Sequence, residues 1–189
     1  GYKNGFGTFV TGGSNANLVA MLAARDKASP LTKQQGLFEN KTLCAFVSEE
    51  SHYSHLKAGY QLGIGIDHII KVPCDTTGHM DTSALLIEIK NAIADGKMPF
   101  FVGATAGTTV RGVFDPIKEI NKICKDYGLW FHIDGSWGGS VLLSEKHRNL
   151  LNGCEDSDSF AWCAHKMMGV PLMCTVILMK EKIILKDIN

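Results

Sequence analysis

The chain has 189 residues, of which 45% are hydrophobic and 20% charged, and its 19 basic and 19 acidic side chains give a formal net charge of zero. This composition is typical of a globular domain, because 20 glycines and 5 prolines are too few for a disordered or collagen-like chain. Zero net charge, without a basic run interleaved with aromatic residues, argues against nucleic-acid and anionic-membrane partners.

Short apolar runs alternate with amphipathic stretches, which predicts an α/β domain with a mostly parallel sheet and flanking helices. In the first half the predicted elements are a strand over Phe6–Val10, a helix after the Gly-Gly-Ser turn, a strand over Leu43–Ser48, a helix over residues 53–62 and a strand over residues 68–72. Ser14 or Asn15 is the predicted N-cap of the first helix, because short polar side chains accept hydrogen bonds from free N–H groups.

The second half of the chain continues the alternation. Its predicted elements are a helix over residues 82–95, a strand over residues 100–105, a helix from Asp115-Pro116 to Gly128, and strands over residues 129–134, 159–162 and 173–179. Asp81 and Gly96 are predicted to cap the first of these helices, and Asp115 the second. Right-handed crossovers bring the carboxyl ends of parallel strands to one sheet edge, so we expect ligand-binding residues there.

The apolar stretches, the first residues and the cysteines bear on the expected location of the protein. No stretch is apolar over the roughly 18 residues that a membrane-spanning helix needs, and the first residues lack a signal-peptide pattern. The six scattered cysteines, without a C-x-x-C pair, are typical of thiols in a reducing compartment. We therefore expect a cytoplasmic protein. Because the chain does not begin with Met and stops soon after a predicted strand, we also expect a fragment of a longer polypeptide.

Three polar features lie at the predicted sheet edge. The turn before Ser14 opens a helix and suits a phosphate group, although such a turn is more often a plain helix cap. Asp134 ends an apolar strand, where a carboxylate needs a cationic or hydrogen-bonded partner, unless it only caps the next turn. Lys166 precedes two methionines, and an apolar setting would make its amine a nucleophile toward an aldehyde; a solvated loop lysine is the alternative.

Together, an anion site, a buried carboxylate and a reactive lysine are what pyridoxal 5'-phosphate requires. The competing interpretation of a metal site rests on the H-x-x-H spacing of His52 and His55. That spacing lacks a glutamate between the histidines and a third ligand nearby, so the sequence predicts no metal, and His55 is expected to be an ordinary packing residue.

Eight strings extend this pattern over nearly the whole chain. They are Thr11-Gly12-Gly13-Ser14 with Asn17, Ser48-Glu49-Glu50-Ser51-His52-Tyr53-Ser54, Ala104-Thr105-Ala106-Gly107-Thr108-Thr109, Phe114-Asp115-Pro116-Ile117, Leu129-Trp130-Phe131-His132-Ile133-Asp134, Trp137-Gly138-Gly139, Lys146-His147-Arg148 and His165-Lys166-Met167-Met168-Gly169. In order and spacing they closely resemble the group II pyridoxal-phosphate-dependent amino-acid decarboxylases, particularly the glutamate and cysteine-sulfinate decarboxylase branch. The resemblance implies the aspartate-aminotransferase-like fold (fold type I), with residues 1–189 forming part of the cofactor-binding large domain and the amino-terminal segment and small domain absent.

The resemblance also implies roles for individual residues. Lys166 would hold the cofactor as an imine, Asp134 would pair with its protonated ring nitrogen, and His52 would stack on the ring. The remaining implied cofactor contacts are Gly13, Ser14 and Asn15 at the phosphate with His165 nearby, Thr109 at the polar groups of the ring, and Ser136 beneath it.

The implied activity is that of a lyase, a homodimeric decarboxylase that releases CO2 from a small acidic amino acid. Glutamate is the first candidate substrate, and cysteine sulfinate and aspartate follow. Two alternatives stay open: another reaction of the same cofactor, such as aromatic amino-acid decarboxylation or transamination, and a member without catalysis. The sequence departs from the usual family pattern at three places: Ala16 for Ser, Gly135-Ser136 for a pair of alanines, and Cys163-Ala164 for Asn-Pro.

Overall fold

A computed structural model describes residues 2–37 and 41–181. Its strands are β1 Phe6–Val10, β2 Leu43–Ser48, β3 Ile69–Val72, β4 Met98–Thr105, β5 Trp130–Gly135, β6 Ser159–Cys163 and β7 Thr175–Met179. Its α-helices are α1 Gly13–Ala28, α2 Thr32–Gln35, α3 Ser54–Gln61, α4 Thr82–Ala94 and α5 Ile117–Tyr127. Short 3-10 helices cover Ile66–His68, Gly138–Leu143, Arg148–Leu151 and Cys154–Asp156.

The strands form one sheet in the order β1-β7-β6-β5-β4-β2-β3. The five strands from β6 to β3 are parallel to their neighbours, whereas β7 runs antiparallel to both β6 and β1. This arrangement confirms the predicted mostly parallel sheet with flanking helices. It brings the carboxyl ends of β4, β5 and β6 side by side, because Thr105 pairs with Asp134 and Asp134 with Ala161.

Helices cover both faces of the sheet, and each face has its own apolar core. Successive residues of β2 illustrate the division: Ala45 and Val47 pack under α1 and α3, and Cys44 and Phe46 pack under α4 and α5. All six residues of β2 are buried, as expected for a strand covered on both faces. The small residues Ala16, Ala20, Ala23 and Ala24 let α1 approach the sheet closely.

The start of α1 differs from the prediction. Neither Ser14 nor Asn15 is the N-cap; Gly12 is, and its carbonyl oxygen accepts hydrogen bonds from the N–H groups of Asn15 and Ala16, both at 3.0 Å. Gly12 has a φ of 128°, which residues with a Cβ rarely adopt. The helix therefore begins two or three residues earlier than expected, and Ser14 and Asn15 lie inside its first turn.

Of the two predicted aspartate caps, one is confirmed and one is wrong. Asp81 accepts hydrogen bonds from the N–H groups of Ser83 and Ala84, at 2.8 and 3.2 Å, at the start of α4. Asp115 does not cap α5, whose N-cap is Pro116. Its buried carboxylate instead accepts the N–H groups of Met80 and Thr105, at 2.8 and 2.7 Å, because these two backbone donors face it from neighbouring segments.

Three further expectations concern membrane spans, disulfides and the end of the chain. No helix within the described ranges is long and apolar enough to cross a membrane. All six cysteines are described and none forms a disulfide. The expectation of a fragment rests on the segment after the last predicted strand, and most of that segment, residues 182–189, lies outside the described residues.

Candidate active site

A cavity of about 200 Å³ lies at the carboxyl ends of β4 and β5, between the start of α1 and the loop that follows β6. Seven of the nine predicted site residues line it: Gly13, Ser14, His52, Thr109, Asp134, Ser136 and Lys166. The other lining residues are Asn17, Tyr53, Thr105, Gly107 and Trp137. The structure therefore brings together residues that are up to 153 positions apart in the sequence, from Gly13 to Lys166.

Asp134 provides the negative charge of the cavity. Its side chain is almost completely buried, and its two oxygens accept hydrogen bonds from different groups. Asn17 Nδ2 donates to Oδ2 at 2.7 Å, and the N–H of Ser136 donates to Oδ1 at 3.0 Å. Burial raises the pKa of Asp134, but the hydrogen bonds that Ser136 and Asn17 donate to the carboxylate outweigh burial and hold the pKa below its ordinary value. The carboxylate is therefore ionised at neutral pH.

A buried polar chain extends from Asp134 into the protein behind the cavity. Asn17 Oδ1 lies 2.9 Å from His132 Nε2, and His132 Nδ1 lies 2.8 Å from Ser159 Oγ. The indole N–H of Trp130 donates to the same Ser159 oxygen at 2.9 Å. Burial lowers the pKa of His132 far below its ordinary value, so its imidazole is neutral.

Two histidines near the start of α3 differ in their surroundings. His52 lines the cavity and accepts a hydrogen bond at Nδ1 from the N–H of Ser54, at 3.2 Å. Its pKa is lowered, mainly by burial and also by Lys166, although Asp134 acts in the opposite direction. His55 is completely buried, and neither of its ring nitrogens has a hydrogen-bond partner among the described residues. Its Nε2 lies 3.9 Å from Asp134 Oδ2, yet burial lowers its pKa and leaves the ring neutral.

His55 is therefore not the ordinary packing residue that the sequence predicted, because its ring lies beside the one buried carboxylate of the cavity. The H-x-x-H pair does not share a site, since His52 faces the cavity and His55 lies behind it. Within the described ranges, no group of three His, Cys, Asp or Glu side chains is placed to hold a metal ion.

Lys166 lies on the loop after β6, where its backbone N–H donates to the carbonyl of Cys163 at 3.2 Å. The predicted apolar setting is wrong, because Lys166 is exposed and the next two residues, Met167 and Met168, are 39% and 48% exposed. Exposure depends on which segments cover the loop, which the local sequence does not encode. The amine still lines the same cavity as Asp134 and lies close enough to His52 to influence its pKa.

The start of α1 forms the opposite wall of the cavity. The first N–H groups of a helix have no acceptor within it, so this end attracts an anion. A Cβ on Gly13 would lie 2.6 Å from Ser136 Oγ, which shows how closely the helix approaches the end of β5. Asn15 does not line the cavity. His165 does not line it either, and its Nδ1 instead lies 3.0 Å from the carbonyl oxygen and 3.1 Å from the nitrogen of Cys174.

Over residues 1–189 the chain matches the family model of the pyridoxal-dependent decarboxylase conserved domain. The chain belongs to this family. The match confirms the resemblance to the group II decarboxylases and identifies pyridoxal phosphate as the cofactor of the family to which the chain belongs.

Solved structures of pyridoxal-dependent decarboxylases and their relatives share the fold. Mouse CSAD is 44% identical, with a TM-score of 0.97 over 99% of this chain and 40% of that chain. The glutamate decarboxylase domain of a Vibrio parahaemolyticus protein is 29% identical, with a TM-score of 0.93 over 98% of this chain and 42% of that chain. Oryza sativa TDC, solved with PLP and tryptamine, is 27% identical, with a TM-score of 0.89 over 96% and 38%. The chain thus spans about 40% of the length of these proteins.

The cavity itself fits the family's cofactor. Thr105 Oγ1 and Ser136 Oγ are buried, belong to cavity-lining residues and have no hydrogen-bond partner among the described residues. An unpartnered buried hydroxyl costs about 1–3 kcal/mol, so both oxygens have capacity for a polar ligand. The ionised Asp134, the start of α1 and the Lys166 amine complete a set that suits a protonated ring nitrogen, a phosphate and an aldehyde, respectively.

Three residues that surround Asp134 were missed as functional candidates by sequence reasoning. Asn17 follows Gly13 by one helical turn, so the helical period indicated that the two share one face of α1. His132 precedes Asp134 by two positions on β5, so the strand period indicated that these two share one face of the sheet. His55 had no such signal, because only the docking of α3 against the sheet brings it to the carboxylate.

Proposed function

We propose that this chain is the cofactor-binding part, residues 1–189, of the large domain of a pyridoxal-phosphate-dependent decarboxylase that acts on a small acidic amino acid. The observation that carries the proposal is the buried, ionised carboxylate of Asp134 in one cavity with the Lys166 amine and the His52 ring. A carboxylate in this position stabilises a protonated pyridine nitrogen, which decarboxylation chemistry requires and which a hydrolytic or redox site does not.

When bound, pyridoxal 5'-phosphate supplies an acceptor for the electron pair that the departing CO2 leaves behind. Asp134 would keep a proton on the ring nitrogen, because its own pKa is held low. Lys166 Nζ would bind the aldehyde carbon and hand it over to the substrate amine, and its exposure lets the amine move aside. His52, which lines the cavity, would pack against the face of the ring.

The phosphate would lie at the start of α1, against Gly13 and Ser14. Thr109 and Ser136 would contact the ring from the opposite loops, since both line the cavity. The roles implied for Asn15 and His165 remain predictions, and their tests are the corresponding alanine variants, with the dissociation constant of the coenzyme as the measurement.

The substrate would be glutamate, cysteine sulfinate or aspartate. The 44% identity with mouse CSAD, against 27% with Oryza sativa TDC, supports the acidic over the aromatic class. We further propose a cytoplasmic homodimer whose substrate-binding groups lie partly outside these residues. The six free cysteines support a reducing compartment.

Product analysis with the protein at its full natural length tests the proposal. The protein is supplied with coenzyme and, separately, with glutamate, cysteine sulfinate, aspartate, tryptophan or tyrosine. It should release CO2 and the matching primary amine from at least one of the three acidic amino acids, and Lys166→Ala should release neither product. A keto acid as the product would identify a transaminase. Release of CO2 from tryptophan or tyrosine alone would identify the aromatic class. A protein that binds no coenzyme would be a member without catalysis.

A further inference from the structure

The hydrogen bonds of the buried polar chain behind Asp134 allow only one assignment of donors and acceptors. A carboxylate can only accept, so Asn17 must present its Nδ2 to Asp134 and its Oδ1 to His132. The Oδ1 atom accepts, so His132 Nε2 must carry the proton. Because the ring is neutral, Nδ1 has only a lone pair and Ser159 must donate to it. The Ser159 oxygen then accepts the Trp130 indole proton.

Every donor in this chain therefore meets an acceptor, and every dipole points toward Asp134. The four linking residues are almost inaccessible to solvent, with exposed fractions of 1% for Asn17, 0% for His132, 0% for Ser159 and 4% for Trp130. Hydrogen bonds aligned in series polarise one another, and a buried setting does not screen them as water would. The second Nδ2 proton of Asn17 is donated to Ser54 Oγ at 2.9 Å. A flipped amide, with Oδ1 and Nδ2 exchanged, would therefore lose the hydrogen bonds to both Ser54 and Asp134.

We propose that Asn17 and His132 are positioning residues that lock the carboxylate of Asp134 in the orientation needed by the ring nitrogen of the cofactor. This inference rests on the proposed function. Asn17 restrains Oδ2 and the Ser136 N–H restrains Oδ1, so the plane of the carboxylate is fixed from two sides. His132 acts through Asn17, because its Nε2–H determines which end of the amide faces Asp134.

The same amide connects to the second proposed ring contact. Ser54 accepts from Asn17 through its hydroxyl and donates its backbone N–H to His52 Nδ1, at 3.2 Å. One buried amide thus braces both Asp134, which is proposed to pair with the ring nitrogen, and Ser54, the first residue of α3, which holds the stacking His52. Loss of the His132 donor should therefore weaken interactions at the ring nitrogen more than interactions at the phosphate.

The test compares two ligands and three variants in the protein at its full natural length. The ligands are pyridoxal 5'-phosphate and its analogue with carbon in place of the ring nitrogen, which makes no ion pair with Asp134. His132→Leu removes the donor to Asn17, and His132→Gln keeps an amide N–H near the position of Nε2. Ser159→Ala removes the far link without touching Asn17 or Asp134, and it serves where His132→Leu does not fold. Dissociation constants come from spectral titration of the apoprotein.

The expected result is selective. His132→Leu should raise the dissociation constant of the natural coenzyme about tenfold while changing that of the carbon analogue less than about twofold. His132→Gln should stay within about twofold of the wild type for both ligands, and Ser159→Ala should show a smaller loss with the same selectivity. Equal losses for both ligands in His132→Leu, or no loss for either, would overturn the positioning role. A wild-type protein that binds neither ligand would overturn the proposed function together with the inference.

Discussion

His55 is the least expected group next to Asp134, and replacing it with leucine gives a prediction of definite sign. Both of its ring nitrogens are buried without a partner, and leaving a buried polar atom unpaired costs about 1–3 kcal/mol. Leucine has a similar volume and no polar atoms. If the ring is neutral, as its lowered pKa indicates, His55→Leu should increase the free energy of unfolding by about 1–3 kcal/mol at pH 7.5.

The pH dependence of this variant follows from the same observation. The pKa of His55 is lower in the folded protein than its ordinary value of 6.5, so below pH 6.5 the unfolded chain binds the proton more tightly. The wild type therefore loses stability as the pH falls below 6.5, by up to about 1.4 kcal/mol per pH unit from this group. His55→Leu removes that loss, so its advantage should grow between pH 6.5 and pH 5.5.

Urea unfolding of the full-length apoprotein at the two pH values, followed by tryptophan fluorescence, measures both effects. The matched control is His147→Leu, an exposed histidine whose replacement should change stability by less than about 0.5 kcal/mol. The contrary case is an ion pair between a charged His55 and Asp134 across the 3.9 Å separation. Removing one partner of a buried ion pair costs about 3–5 kcal/mol, so a strongly destabilised His55→Leu would refute the neutral-ring interpretation.

Two further predictions concern the supports of the cavity. Asp115→Ala should lower the free energy of unfolding by about 2–4 kcal/mol, because the buried N–H groups of Met80 and Thr105 lose their acceptor; a loss below 1 kcal/mol in urea titration would contradict this. Gly135→Ala, which introduces the residue that the family usually has there, should cost about 1–3 kcal/mol, since the new Cβ would lie 2.5 Å from the Phe160 ring. Adding Phe160→Leu should recover part of that loss, and strictly additive effects of the two substitutions would rule out the clash.

The sequence predicted those strand and helix boundaries that are set by neighbouring residues, such as apolar runs and capping side chains. The predicted and observed bounds of β2 are identical, because a continuous apolar run is typical of a strand covered on both faces. α4 was placed to within one residue because Asp81 begins it and a glycine follows its end. The cap of α1 was misassigned because the φ of Gly12 depends on the path of the chain from β1, which no side-chain pattern encodes.

The sequence predicted individual residues of the candidate site, but it did not predict how exposed they are or which distant residues they contact. Asp134 and Lys166 were identified from strand ends and loops, and both line the cavity. The exposure of Lys166 and the burial of His55 could not be predicted, because both depend on how distant segments pack against each other. The hydrogen bond between Asn17 and Asp134 joins residues 117 positions apart, beyond the range of any periodicity.

The covalent attachment of the coenzyme tests the central proposal most directly. The full-length holoprotein is reduced with borohydride and digested, and the modified peptide is identified by mass spectrometry. The account predicts a phosphopyridoxyl group on the Lys166 Nζ, and no labelled peptide from the Lys166→Ala variant. A label on another lysine, or a wild-type protein with no label at all, would contradict it.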